Sequence, residues 1–288
     1  MKLVIGSAQM GMPYGLFNKK KIRSSEIVKI SKLAKKSKIK FIDTAIGYGD
    51  SEKIIGKSKL NKLNIITKIK IDKIKTSKLL FWLQKKLSNS LKILNVNQIY
   101  AILVHDYKDL FGKRGKIYLN FLEDLKKKKI IKKIGISIYD PAELKKIWKF
   151  WKPDIVQAPF NVLDNRLENS GWMEILKKEN IEIYIRSIFL QGLLINDYKK
   201  ILKNYNQRKY LINFEKWCLL NKLSKIEACI QYVKQFKKID YIIVGFDNIN
   251  QFKEILKIYK KKKIKIPKTF VTNDKNLIDP RRWKFIIK

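Results

Sequence analysis

Cysteine is almost missing from this chain, which has only Cys218 and Cys229. Two thiols support neither a disulfide framework nor a thiolate zinc site. Histidine is scarcer still, with His105 alone, and the acidic residues are not clustered, so no metal centre is expected. No apolar run exceeds the six residues from Ile99 to Val104, against the ~20 that a membrane helix needs. The N-terminal residues reach Gly6 too early to form the apolar core of a signal peptide. A soluble, cytoplasmic protein with reduced thiols and no membrane partner is expected. Acidic residues are few, 25 against 65 lysines and arginines, which leaves a formal charge of +40.

That charge invites a nucleic-acid reading, because basic patches release counterions from phosphate backbones. The composition points to a blander cause. Isoleucine numbers 46 against 7 alanines, and only 7 of the 65 basic residues are arginine. Lysine, isoleucine and asparagine have AT-rich codons, so an AT-biased genome produces the same skew. Arginine, the residue best suited to bidentate phosphate contacts, is the scarce one. No specific nucleic-acid partner is expected, although the field should attract small anions at low salt. With 288 residues, 45% of them hydrophobic and 11% aromatic, the chain has ample material for a core and is not a disordered protein.

Short β-branched runs alternate with amphipathic segments along the sequence. Strands are expected at residues 3–5, 41–42, 65–67, 99–104, 133–137, 154–157, 181–185 and 241–244. Helices are expected at 24–38 with serine as N-cap, 51–56, 77–94, 117–128, from Pro141, 172–179, in stretches between 208 and 236, and at 248–259. From about residue 264 the pattern decays into an irregular tail. Eight strand–helix units in about 260 residues match a single-domain α/β (β/α)8 TIM barrel spanning 1–288. A doubly wound sheet is the alternative, but Gly6, Gly11 and Gly15 have the wrong spacing for a dinucleotide fingerprint.

In such a barrel, chemistry sits where strands end and βα loops begin. The polar residues at those points are Ser7 and Gln9, Asp43 and Thr44 with Tyr48 beyond them, Lys68, His105 and Asp106, Ser137, Gln157, Arg186 and Ser187, and Asp247 after Gly245. Singly, each has an ordinary structural explanation. Together, Asp43, Tyr48, Lys68 and His105 make a proton-transfer site. A neighbouring Lys68 would favour the phenolate of Tyr48, and a buried lysine needs a carboxylate such as Asp43.

The stretch Phe41-Ile42-Asp43-Thr44-Ala45-Ile46-Gly47-Tyr48-Gly49-Asp50-Ser51-Glu52-Lys53-Ile54-Ile55-Gly56 resembles the D-T-A-x-x-Y-G-x-S-E-x-x-[LI]-G signature of the aldo-keto reductases. Ile65 to Lys68, Leu103 to His105, Gly135 to Ser137, Val156 to Asn161, Ile185 to Gly192 and Ile243 to Gly245 continue the resemblance in order. It implies a metal-free barrel that uses NADPH, or alternatively NADH, to reduce the carbonyl of an aldehyde, ketone or keto-sugar. It implies Tyr48 as general acid, Lys68 and Asp43 as its tuning pair, and His105 as an orienting donor. Ser137 and Gln157 would hold the nicotinamide carboxamide. Ser187 and the backbone from Leu190 through Gly192 to Leu194 would take the pyrophosphate. Gly245, Phe246 and Asp247, with Gln251 and Glu254, would line the adenosine end, and Gly6 and Ser7 complete the cofactor contacts. The sequence departs from the family at four points. Ile138 replaces an asparagine carboxamide ligand, and Arg186 replaces a tyrosine that stacks on nicotinamide. Gln251 and Ile255 replace the arginine and asparagine of NADPH-selective members. The opening Gly6 to Asn18 resembles a branch associated with sugar and surface-polysaccharide metabolism. The substrate-determining segments are expected at residues 9–18, 107–115 and beyond 264, and the protein is expected to be a monomer or weak homo-oligomer. A catalytically idle cofactor-binding barrel, acting as sensor or subunit, is the rival reading.

Overall fold

Isoleucine and valine dominate eight short strands, as expected of a parallel sheet buried on both faces. They are β1 (Lys2–Gly6), β2 (Phe41–Asp43), β3 (Asn64–Ile69), β4 (Ile99–Val104), β5 (Ile131–Ser137), β6 (Ile155–Pro159), β7 (Glu182–Arg186) and β8 (Tyr241–Val244). Each pairs in parallel with its neighbours, and β8 pairs with β1 through Leu3 and Ile242, closing the barrel. The computed structural model describes residues 1–18, 20–202 and 205–285.

The helices between strands bury one stripe each. In Leu79–Leu94 the buried residues are Leu79, Leu83, Leu87, Ser90 and Leu94, at helical spacing, and Asn95 ends the helix with φ 55° in the left-handed region. Several helix ends differ from the sequence expectation. Ser24 lies inside the helix Ser24–Lys36, whose N-cap position is Arg23, so no serine caps it. Pro141 occupies the N-cap position one residue before the helix Ala142–Ile147. The helix Gly112–Lys127 starts five residues before expectation, because its first turn carries Gly112, Lys113, Arg114, Gly115 and Lys116 and no apolar period marks it. A short helix, Arg166–Asn169, precedes Trp172–Lys178 and was not expected. Beyond residue 264 the chain packs closely. It holds a helix, Lys275–Ile278, and buries Ile266, Phe270, Leu277, Ile278 and Trp283. The Trp283 indole donates to the Leu277 carbonyl at 2.9 Å, which makes it a packing residue; the side chain of Phe285 lies outside the described residues.

Inside the barrel, Val4, Phe41, Ile66, Ala101, Leu103, Ile155, Tyr184, Tyr241 and Ile243 form a separate apolar cluster. Strand side chains alternate faces, so the next inward positions lie two residues on. Adding two gives Gly6, Asp43, Lys68, His105, Gln157, Arg186 and Gly245. On β5, a side chain at Gly135 would collide with Leu103 and Ile155, so that position also faces inward, and two residues on stands Ser137. The apolar layer is the floor, and the polar layer above it is the candidate site.

Candidate active site

Asp43 is the hub of the polar layer. Its Oδ2 accepts from Lys68 Nζ at 2.5 Å and its Oδ1 from Gln157 Nε2 at 2.7 Å. Lys68 also donates to the Thr44 carbonyl at 2.8 Å, and Ser137 Oγ lies 3.4 Å from Gln157 Oε1. All five of these residues are buried. A buried ion pair holds only if its remaining polar atoms are satisfied, and this one is tied on both sides. Burial still holds Lys68 below the usual lysine range, with Asp43 pulling the other way.

Tyr48 arrives from the loop after β2. Thr44 N donates to the Ile66 carbonyl and Ile46 N to the Lys68 carbonyl, so the loop continues the barrel ladder. Its far side is clasped by the β1 loop. Asp50 N donates to the Gly11 carbonyl at 3.1 Å, and Ser51 Oγ donates to the Ser7 carbonyl at 2.7 Å. A Cβ at Gly11 would lie 2.1 Å from the Tyr48 carbonyl, so only glycine permits that approach. Lys68 Nζ stands 5.1 Å from the centre of the Tyr48 ring, and His105 packs edge-on to that ring at 6.0 Å.

The charge states differ from the sequence expectation. Lys68 was expected to lower the Tyr48 pKa. Burial first and the Asp43 carboxylate second instead push it above the ordinary phenol range, and the cation that opposes them is Arg186. Tyr48 is therefore a fully protonated phenol at neutral pH. His105 is driven down to about 3, chiefly by burial and then by Lys68, Arg186 and Lys70, so its imidazole is neutral. A neutral imidazole beside a protonated phenol can hold and protonate a carbonyl oxygen.

A cavity of about 110 Å³ opens above these residues and spans the mouths of four adjacent strands, β7, β8, β1 and β2. Of the predicted residues, Gly6, Ser7, Asp43, Tyr48, Arg186, Ser187, Gly192, Gly245, Phe246, Asp247 and Gln251 line it. Lys68, His105, Ser137, Gln157, Leu190 and Glu254 do not. Lys68 and Gln157 connect to the cavity through Asp43, and Leu190 is buried in the hydrophobic core. Glu254 is exposed on the helix Ile249–Lys260. Phe246 stacks on Phe252 at 4.4 Å, and Gln251 accepts from Asp247 N at 2.7 Å, which folds the β8 loop onto its own helix. Arg186 sends one amino group to the Ile138 carbonyl (3.0 Å) and the other to Ser187 Oγ (3.2 Å), while its guanidinium lies 4.3 Å from the centre of the Tyr139 ring.

The chemistry of the lining suits a dinucleotide, with polar groups and backbone from four strand mouths set among Tyr14, Phe17 and Phe246. Ser7 Oγ is buried beside the cavity with no partner, an orphaned group that a polar ligand would satisfy. Ser187, Leu190 and Gln191 all hold positive φ (58°, 47° and 51°), a run that shapes the β7 loop at the cavity wall. Among the described residues no three metal-ligating side chains cluster, and no helix is long and apolar enough to cross a membrane.

The expected segment 9–18 does line the cavity, through Gln9, Tyr14, Gly15, Phe17 and Asn18, although Tyr14 and Phe17 were not singled out within it; Tyr139 was missed. Tyr14 and Phe17 line the cavity from the β1 loop, where Leu16 N donates to the Gln191 carbonyl across the cleft at 3.2 Å. Pro13-Tyr14-Gly15 is a turn signal whose central aromatic could have been read as a wall of the site. Tyr139 carries no such signal; it matters only because Arg186 and, from the C-terminal segment, Arg281 stack on its two neighbourhoods at 4.3 and 4.2 Å. The segment 107–115 borders a separate shallow groove at Leu110, Phe111 and Gly112 and contributes nothing to this cavity.

Comparison with known proteins agrees with this arrangement. The model described as the aldo/keto reductase family matches residues 2–269. No curated protein matches the sequence. Among solved structures, the holo form of an aldo-keto reductase from Bacillus halodurans is similar with a TM-score of 0.72 at 18% identity, covering 92% of this chain and 88% of that one. A thermostable aldo-keto reductase in complex with the inhibitor epalrestat gives 0.66 at 20% identity, covering 93% and 92%. At such identities the likeness is one of fold.

Proposed function

The chain belongs to the aldo/keto reductase family, and from that premise we propose that it is an NAD(P)H-dependent reductase of small carbonyl compounds, with Tyr48 as the proton donor. The observation that carries the reading is the Gln157–Asp43–Lys68 network beside a protonated Tyr48 in a cleft that runs across the mouths of β7, β8, β1 and β2. Ser7, Ser187, Gly192, Gly245, Asp247 and Gln251 are the residues that would hold the cofactor, and Ser137 and Gln157 its carboxamide. When bound, the cofactor supplies a hydride to the carbonyl carbon.

The chain's own residues supply the rest. His105, neutral, orients the carbonyl oxygen. Tyr48 gives that oxygen its proton as negative charge develops there. The raised pKa of Tyr48 does not prevent this, because an alkoxide is more basic than a phenolate. Lys68 and Asp43 keep the phenol in place and supply a balanced pair against which charge can shift. An idle cofactor-binding barrel has no use for this complete network, which weighs against a sensor or subunit role. NADPH is the favoured cofactor on the strength of Gln251, Lys253 and the +40 charge, with Asp247 weighing towards NADH. A keto-sugar is a favoured substrate, in keeping with the opening Gly6 to Asn18.

The experiment is a panel of aldehydes and keto-sugars with each cofactor, read by loss of nicotinamide absorbance, run on the wild type and Tyr48→Phe. The substitution removes only the hydroxyl. Turnover should fall at least about 100-fold with cofactor affinity nearly unchanged. Retention of most of the turnover would move the proton donor elsewhere.

A further inference from the structure

Arg186 is a half-buried cation in the wall of the reaction cavity, and none of the described carboxylates lies within ion-pair distance of it. The cavity's two acidic side chains are Asp43 and Asp247. Asp43 is already held by Lys68 and Gln157. A guanidinium has five N–H donors, and the two bonds seen here run to a backbone carbonyl and a hydroxyl, both neutral acceptors. The other arginines of the mouth region are different. Arg166 is paired with Asp140 and Asp164, and Arg281 with Glu143 and Asp279. Taking a cation partly out of water with no counter-charge is costly. The side chain is nevertheless held firmly in that position, by the Ile138 carbonyl and the Tyr139 ring.

We propose that Arg186, with Tyr14, which lines the same cavity, is the recognition site for an anionic group on the substrate, so that the carbonyl compound reduced here carries a carboxylate or a phosphate. The proposal rests on the reductase reading and narrows it. Arg186 lies at the reacting end of the cleft, since it ends β7 in the same inward layer as Asp43 and Lys68 and lines the cavity together with Asp43 and Tyr48. Tyr14 stays a protonated phenol, pushed above the ordinary range mainly by its burial and next by Tyr48, so it can donate to an anion. With one N–H on each amino group taken by Ile138 and Ser187, three of the five N–H donors of the guanidinium remain in its plane for such a group.

Two matched pairs test this: succinate semialdehyde against butanal, and glyceraldehyde 3-phosphate against glyceraldehyde. In the wild type, kcat/KM for the charged member of at least one pair should exceed that of the neutral member by about tenfold or more, the size of a charge-assisted hydrogen bond. The pair with the larger ratio identifies the anion. In Arg186→Gln that ratio should fall towards unity, and in Arg186→Lys it should be intermediate. Removing one of 65 basic residues leaves the long-range field nearly intact, so the loss is assignable to the local contact. Calorimetric binding of succinate, which cannot be reduced, gives a readout without turnover. It should bind the wild type more tightly than succinamide does, and Arg186→Gln should lose that difference. The wild-type comparison stands even if the variant folds poorly. Reduction of both members with equal efficiency, together with equal binding of succinate and succinamide, overturns the inference and leaves the reductase standing. Arg186-dependent succinate binding with no carbonyl reduced supports the anion site and removes the reductase reading instead.

Discussion

His105 is the chain's one histidine, and its surroundings set its charge. Folded, its pKa falls to about 3; unfolded, it returns to about 6.5. Between those values the unfolded chain binds a proton that the folded chain does not, so stability is complete above about pH 6.5 and is lost as the pH falls towards 3. The loss approaches about 1.4 kcal/mol for each pH unit in that window. Thermal unfolding of wild type and His105→Gln across pH 7 to 5, a range in which no other side chain has its ordinary pKa, should show a steeper decline for the wild type. Equal slopes would mean that the imidazole is more open to water than its packing against Tyr48 implies. Asp247 sets a second charge, at the far end of the cleft. Asp247 lines the cavity, and its backbone N–H is taken by Gln251. A carboxylate there repels the 2′-phosphate of NADPH and suits a ribose hydroxyl. Asp247→Ala should strengthen NADPH binding by about 1 kcal/mol, roughly fivefold, and weaken NADH binding, read as the two dissociation constants at fixed ionic strength. No change in either constant would place the carboxylate away from the cofactor.

The clasp between the β1 and β2 loops is the element on which the Tyr48 position depends. At Gly11 a new Cβ would meet backbone atoms, the Tyr48 carbonyl at 2.1 Å and the Ser51 nitrogen at 2.2 Å, and backbone yields less readily than a side-chain tip. Gly11→Ala should cost about 1–3 kcal/mol in stability and lower turnover more than cofactor affinity. Gly47, in the same loop, has nothing within 4 Å of its would-be Cβ and serves as the neutral control. Comparable behaviour of the two variants would show that the clasp is dispensable. Such contacts explain what could be read from the sequence and what could not. The strands were legible because isoleucine runs of fixed length have one interpretation when helices separate them. Asp43, Lys68, His105 and Gln157 were legible because each stands at or near the C-terminal end of an expected strand, and the two-residue alternation carries them inward. For Tyr14 only the segment 9–18 was legible and not the residue, and Tyr139 was not legible at all, since their places depend on how loops fold over one another. The direction of the Tyr48 shift was also hidden. Residue types suggested a neighbouring lysine, but burial and the Asp43 charge outweigh it, and burial is a property of the assembled barrel.

At the scale of the whole molecule the governing quantity is the excess of positive charge. Were each of the 25 acidic residues paired, 40 basic groups would remain without a partner. Among the described residues several of the ion pairs are exposed on both sides, as in Lys21–Asp50 at 2.6 Å and Lys152–Glu179 at 2.6 Å, and most others leave at least one partner in water. Exposed pairs contribute roughly 0–1 kcal/mol each. The repulsion among the excess charges has one sign and a long range, and it acts against the compact state. Added salt screens both effects, but the one-signed repulsion is the larger, so salt should stabilise this protein. Between about 0.02 and 0.3 M sodium chloride the Debye length falls from about 20 Å to about 6 Å, which removes most interactions beyond the nearest neighbours. The thermal midpoint should rise over that range, by about 2–4 °C for each kcal/mol of repulsion relieved. The measurement is a calorimetric or fluorescence melt at fixed pH across the salt series. A midpoint that falls with salt would mean that the surface pairs, rather than the excess charge, dominate the electrostatics of the fold. The same series should weaken binding to duplex DNA towards nothing by about 0.15 M salt if the lysines are compositional, because attraction without base contacts is lost as counterions compete. Tight, sequence-selective binding that survives at that salt would instead give the charge a function of its own.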